Sequence, residues 1–182
     1  MVDETGKLIT MHASDALVRV PLGFSLGLLG RFTVHNLGAF AVILDDASRV
    51  LLCHRTDFDA WNLPGGTVER LEAPWKAAQR EALEEVGLVV RVDHLIGVYS
   101  VPEQETVAFA FLCTRTGGTI RLSDEADDIQ CFHRGDLPSN TLPRHVERIE
   151  DAFNVSGGAS LRVQAQQALA TDGPCATRSR HR

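Results

Sequence analysis

The chain has 182 residues, 44% of them hydrophobic and 23% charged, which is about one domain's length with enough apolar material for a sizeable core and excludes disorder throughout. Its 18 Lys and Arg against 24 Asp and Glu give a formal net charge of −6, a sign that repels a phosphate polymer, so no nucleic acid polymer is expected as a partner. Four scattered cysteines (Cys53, Cys113, Cys131, Cys175) form no CxxC pair, which argues against a disulfide framework or thiolate zinc site and suits a cytoplasmic setting.

From the amino terminus, there is neither the basic start nor the apolar run of a secretory signal. The apolar neighbourhood Val20 to Gly30 is broken by Pro21, Gly23, Ser25 and Gly27, well short of the roughly 20 residues that span a bilayer, so no membrane attachment is expected. Residues 1–31 read as an extension packing on the domain or on a partner. Phe24, Leu28, Leu29 and Phe32 cover the sheet or a second subunit, with a homodimer as the simplest such assembly. Residues 32–155 read as the folded domain.

Within it, Gly38 to Leu44 and Arg49 to Arg55 are β-like runs around the turn-rich Asp45-Asp46-Ala47-Ser48, and they predict a hairpin. Thr56 to Gly66 reads as a loop. Ala73 to Val86 predicts a helix, with Pro74 suited to its first turn and Gly87 to its stop. Trp75, Ala78, Ala82 and Val86 fall on one stripe and are its expected buried face. Leu88 to Val101 and Thr106 to Arg115 read as strands, Gly117-Gly118 as a turn, and Thr119 to Leu122 and Ile129 to His133 as further strands. Pro143 to Phe153 predicts a second helix, with Val146, Ile149 and Phe153 at helical spacing. Strands and helices mix without strict βαβ alternation, so the fold class is α+β, with a mixed sheet as its centre. Residues 156–182 turn to Gly, Ser, Ala and Gln with four arginines against one acid, and read as a flexible tail.

On the first helix Glu81, Glu84 and Glu85 lie at i, i+3 and i+4. Such carboxylates repel by a few tenths of a kcal/mol per pair, and no lysine stands among them. A hard divalent cation, Mg²⁺ or Mn²⁺, is the natural neutraliser, because it takes oxygen ligands from one or two carboxylates plus substrate phosphates. Leu63-Pro64-Gly65-Gly66 offers a bare backbone turn that brings a carbonyl into the same coordination sphere and lets a diphosphate approach. Arg80 pairs with Glu72 in bidentate fashion and orients the ligands. Seven histidines show no HxxxH or HExxH spacing, so a zinc enzyme is not supported.

A bare ExxEE run would read as a solvated acidic face; here the whole spacing decides otherwise. Gly66, five residues, Glu72, seven residues, Arg80-Glu81, two residues, Glu84-Glu85, one residue, Gly87 and Leu88 reproduce GX5EX7REUXEEXGU. Seven fixed identities would coincide on the order of once in 10⁸ to 10⁹ starting positions. The stretch resembles the Nudix box, and the flanking elements extend the likeness over roughly 32–153. The resemblance implies an α/β/α sandwich around a mixed β-sheet and the hydrolysis of a nucleoside diphosphate linked to another moiety with Mg²⁺ or Mn²⁺. By position it implies Glu81, Glu84, Glu85 and the Gly65 carbonyl as metal ligands, Glu84 also as a water-positioning group, and Glu72 with Arg80 as the supporting pair. Two positions depart from the common box: Leu71, where glycine usually precedes the glutamate, and Ala82, where a larger aliphatic is usual.

The general base is sought in the box or on a distant loop, and Glu125, in the acidic segment Ser123 to Asp128, is the first external candidate, with Asp128 as alternate. Arg55 is a candidate phosphate contact beside the glycine turn at Gly65-Gly66. Trp61 anchors the loop in the core. The leading expectation is a metal-dependent hydrolase of a small nucleotide substrate, a nucleoside diphosphate derivative such as a nucleotide sugar. A nucleoside triphosphate pyrophosphohydrolase and a non-catalytic nucleotide sensor stand as alternatives.

Overall fold

The computed structural model describes residues 35–154 and 158–165; the amino-terminal extension with Phe24, Leu28, Leu29 and Phe32, and the end of the tail with Cys175, lie outside them. In chain order the elements are β1 (Asn36–Ile43), β2 (Val50–Arg55), β3 (Trp61–Asn62), β4 (Gly65–Thr67), α1 (Pro74–Val86), β5 (Leu88–Val101), β6 (Thr106–Gly118), β7 (Ala126–Phe132), α2 (Pro143–Phe153) and β8 (Ser160–Val163). A mixed five-stranded sheet runs β4-β1-β6-β5-β8, and a three-stranded antiparallel sheet runs β3-β2-β7. β8, inside the stretch that reads as a tail, pairs in parallel with β5.

Strand alternation divides the core in two. On β1, Ala39, Ala41 and Ile43 face the cluster that receives Ala77, Ala78, Ala82 and Val86 of α1. Phe40, Val42 and Leu44 face the opposite cluster, which receives Ile149 and Ala152 of α2. A strand with apolar residues on both faces is what a sheet covered on both sides requires. The layers are therefore helix, sheet, helix, as expected of an α+β chain of this kind.

Both helices begin and end as their sequences demand. Ala73 is extended at the N-cap of α1, Pro74 fills the first position, and Gly87 closes the helix with φ 74° and its N–H donating back to Ala82 and Leu83, a left-handed cap that favours glycine. α2 opens with Pro143 and buries His145, Arg148, Ile149 and Asp151.

Five further expectations need correction. The two first strands exist but do not form a hairpin ladder: β1 is already flanked by antiparallel β4 and parallel β6, so only the Leu44–Val50 bridge joins it to β2, which belongs to the other sheet. The loop from Thr56 to Gly66 contains β3 and the start of β4. Gly117 and Gly118 continue β6 rather than turn, because Leu88 and Val89 still pair with them; Thr119 to Leu122, beyond the end of that partner, form no strand. Finally, Trp75 is 52% exposed. It sits on the first turn of α1 at the edge of the buried arc, which is centred nearer Ala78 and takes in Ala77 and Glu85.

The departure at Leu71 has a backbone consequence. Glu72 N–H donates to the Glu69 carbonyl at 3.1 Å, and Leu71, third in that turn, has φ 68°. A positive φ at this turn position is the reason glycine is favoured there, and a leucine held so is strained by about 1–2 kcal/mol. Its side chain, 97% exposed, returns almost no burial. Leu71→Gly is expected to stabilise the protein by about 0.5–1 kcal/mol, the strain relief being partly offset by glycine's looser unfolded chain; urea denaturation checks this, and a destabilised variant would contradict it.

Candidate active site

The site is built where the buried face of α1 meets the glycine turn. At about 100° per residue Glu85 lies only about 20° from Ala78, so the helix that buries its alanines also carries this carboxylate inward. Glu85 is 8% exposed. Its Oε2 accepts the Gly65 N–H at 3.1 Å and faces the Cys53 thiol at 3.7 Å. Burial first, then the negative charges of Glu81 and Glu125, push the carboxyl up to about 7 against the lowering pull of the Gly65 N–H. Glu81 is likewise raised by burial, against the pull of Arg80.

The two glycines are needed for contact, not only for the turn. Gly65 has φ 151°, and a Cβ there would stand 2.3 Å from the Ala39 carbonyl oxygen. A Cβ on Gly66 would stand 2.6 Å from Glu81 Oε1. The backbone thus lies directly against the carboxylates, in line with a metal-coordinating carbonyl and a close phosphate approach. The turn is held from the far helix: Leu63 N–H donates to Nδ1 of His145 at 3.0 Å. His145 is fully buried and kept neutral by that burial, which leaves Nδ1 free to accept.

Arg80 does more than the expected pairing. Its Nε and Nη2 meet the two Glu72 oxygens, both at 3.0 Å, and Nη2 also reaches the Thr67 carbonyl at 3.1 Å. Its Nη1 donates to Glu81 at 2.8 Å and to Glu84 at 3.0 Å. The guanidinium therefore neutralises part of the ridge that the sequence assigns to a cation alone. With Glu81 and Glu84 turned onto it, no three His, Cys, Asp or Glu side chains converge in a metal-holding arrangement among the described residues. The donor set still fits a hard divalent ion, because it consists of carboxylate oxygens beside a bare glycine backbone.

Glu125 is exposed on the segment before β7, and its charge acts on both Glu81 and Glu85, so the structure brings it to the site. Arg55 ends β2; its charge is coupled to Glu85, while its guanidinium grips Asp57 at 2.7 and 2.6 Å and lies 4.7 Å over the Phe58 ring. Asp128 instead caps its own strand, accepting from Ile129 N–H and Gln130. Trp61 is buried against Phe132 and His54, an anchor as expected. The reading of residues one by one missed Cys53, His145 and the bridge His54 makes to Asp59 and Asp127 at 2.9 and 2.7 Å. Only the position of His54 beside Arg55, at the end of a strand before the turn, offered a signal for any of them.

The NUDIX domain family model matches residues 34–152. A Bacillus subtilis (strain 168) protein provisionally named an 8-oxo-dGTP diphosphatase is 31% identical over 75% of this chain and 93% of its own length. An ADP-ribose pyrophosphatase of Methanocaldococcus jannaschii is 31% identical over 70% of this chain and 79% of its own. A NUDIX hydrolase structure from Nitrosomonas europaea superposes with a TM-score of 0.66, covering 91% of this chain and 93% of that one at 18% identity, a likeness of fold. The family match runs from just before β1 into the last turn of α2, and the box of carboxylates sits on the helix between them: the chain is an enzyme of the Nudix hydrolase family.

Proposed function

We propose that the chain hydrolyses the phosphoanhydride linkage of a nucleoside diphosphate derivative with the aid of Mg²⁺ or Mn²⁺. The observation that carries this reading is the buried Glu85 carboxylate, held by the Gly65 N–H beside Glu81 and under the field of Glu125. Glu81, Glu84, Glu85 and the Gly65 carbonyl would hold the ion, which when bound lowers the pKa of water and takes up charge on phosphoryl oxygens. Glu125 receives the proton of the attacking water, Arg55 neutralises a substrate phosphate, and Gly65-Gly66 leave room for the diphosphate. Glu72 and Arg80 keep the ridge in register. The name of the Methanocaldococcus relative favours a diphosphate joined to a sugar; that of the Bacillus relative favours the second reading, pyrophosphohydrolysis of a nucleoside triphosphate.

Phosphate and product release, measured with Mg²⁺ or Mn²⁺ on a panel of ADP-ribose, nucleotide sugars and nucleoside triphosphates, decides between them. Turnover of at least one is expected, and Glu85→Gln should lower kcat by at least about 100-fold, the loss of a group that acts at the reacting centre. Tight binding of one nucleotide without turnover by the unaltered protein would instead make it a sensor.

Burial of Glu85 also predicts how stability varies with pH when no metal is added. A folded carboxyl raised from 4.5 to about 7 binds a proton more tightly than the unfolded one, so this group's contribution to stability is full below about 4.5, falls as pH rises toward 7, and levels off above it. Glu85→Gln removes that decline and should be the more stable protein at pH 8 by roughly 1–3 kcal/mol. Chelator-treated samples unfolded in urea at pH 5 and pH 8 check it; a variant no more stable than the parent at pH 8 would contradict it.

A further inference from the structure

His54, at the end of β2, lies between two carboxylates from different parts of the chain. Its Nε2 is 2.9 Å from Asp59 Oδ1 and its Nδ1 2.7 Å from Asp127 Oδ1. Asn140 Nδ2 donates to the same Asp59 oxygen at 2.6 Å, and the Trp61 ring meets the imidazole edge-on at 5.2 Å. A neutral imidazole has one N–H and can serve only one carboxylate, whereas an imidazolium donates to both.

The irregularity in the β2–β7 pairing explains how Asp127 reaches it. His54 pairs with Asp128, but Arg55 pairs with Ala126, so Asp127 is the extra residue of a bulge. Bulges re-aim a side chain next to functional sites. Here the bulged strand turns Asp127 onto His54, and the residue two before it is Glu125. The same segment is also tied to the 56–60 loop through Thr56, whose N–H donates to the Glu125 carbonyl at 3.2 Å and whose hydroxyl donates to the Asp124 carbonyl at 3.0 Å.

We propose that His54 is a positioning residue of the hydrolytic site: donating to Asp59 from one ring nitrogen and to Asp127 from the other, it clamps the 56–60 loop to the start of β7 and fixes Glu125 toward Glu81 and Glu85. The inference rests on the reaction proposed above. Both hydrogen bonds raise the pKa of the ring, so the clamp holds to higher pH than an unpaired imidazole would and opens as pH rises through that raised value. The charged groups acting on the ring are Asp59 and Asp127; Asp57 is taken by Arg55, and Asp128 by its own strand.

His54→Phe keeps the packing on Trp61 and removes both donors. It should lower kcat by about 10- to 100-fold, the usual cost of losing a group that orients a catalytic one, with KM changed by no more than about three-fold. In a Glu125→Gln background the same change should add nothing, because the two act as one unit. Amide exchange of residues 123–128 should be faster in His54→Phe than in the parent, and in the parent should quicken with pH beyond the intrinsic rate. Asp127→Asn, at an exposed position, should reproduce the kcat loss if His54→Phe fails to fold. A kcat within about two-fold of the parent in the variant that folds, or unaltered exchange of 123–128, overturns the proposal. Exchange reads the clamp without substrate, so a parent protein that turns over nothing refutes the reaction and leaves the clamp to be judged separately.

Discussion

The site depends on a carboxylate carried into the protein interior by the same helical register that buries alanines. Glu85 shares its arc of α1 with Ala78 and Ala82, so the helix cannot pack on the sheet without desolvating it. Desolvation alone would expel its charge; one backbone N–H and a thiol keep it oriented. Much of the surrounding sequence serves that compromise. Gly65 and Gly66 have no side chain because the space is taken by Ala39 and by Glu81, and the turn that contains them is pinned from α2 by a neutral histidine.

The fold supplies the remaining groups by bringing distant stretches to one end of the two sheets. β1 is an interior strand of the larger sheet and hydrogen-bonded to the edge strand β4, which sets the glycine turn against α1. β2 and β7 form the smaller sheet, which brings Arg55 and Glu125 within electrostatic reach of Glu85. Stability and chemistry are in tension here: the buried acid weakens the protein as it ionises, and the strained Leu71 lies in the turn before α1.

Much of this was legible in the sequence, and the exceptions follow a pattern. α1 is bounded by Pro74 and Gly87, β5 by Gly87 and Pro102, and α2 opens at Pro143, because caps and breakers are local. The Glu72–Arg80 pair follows from helix entry and box spacing, and it forms. What could not be read depends on partners far along the chain. The parallel neighbour of β1 is 70 residues away at β6, whereas two successive strands with a good turn between them read locally as a hairpin. The arc that separates Glu85 from its two neighbours was hidden because Trp75 drew the stripe toward the wrong side of the helix. The partners of His145 and His54 lie across the fold, and composition carries no trace of them.

Arg80 has one more consequence. A guanidinium already spanning Glu72, Glu81 and Glu84 means that an arriving dication would not meet three naked anions; it would have to win two of them from an incumbent. Without any ion, the ridge is already partly self-neutralised by its own arginine.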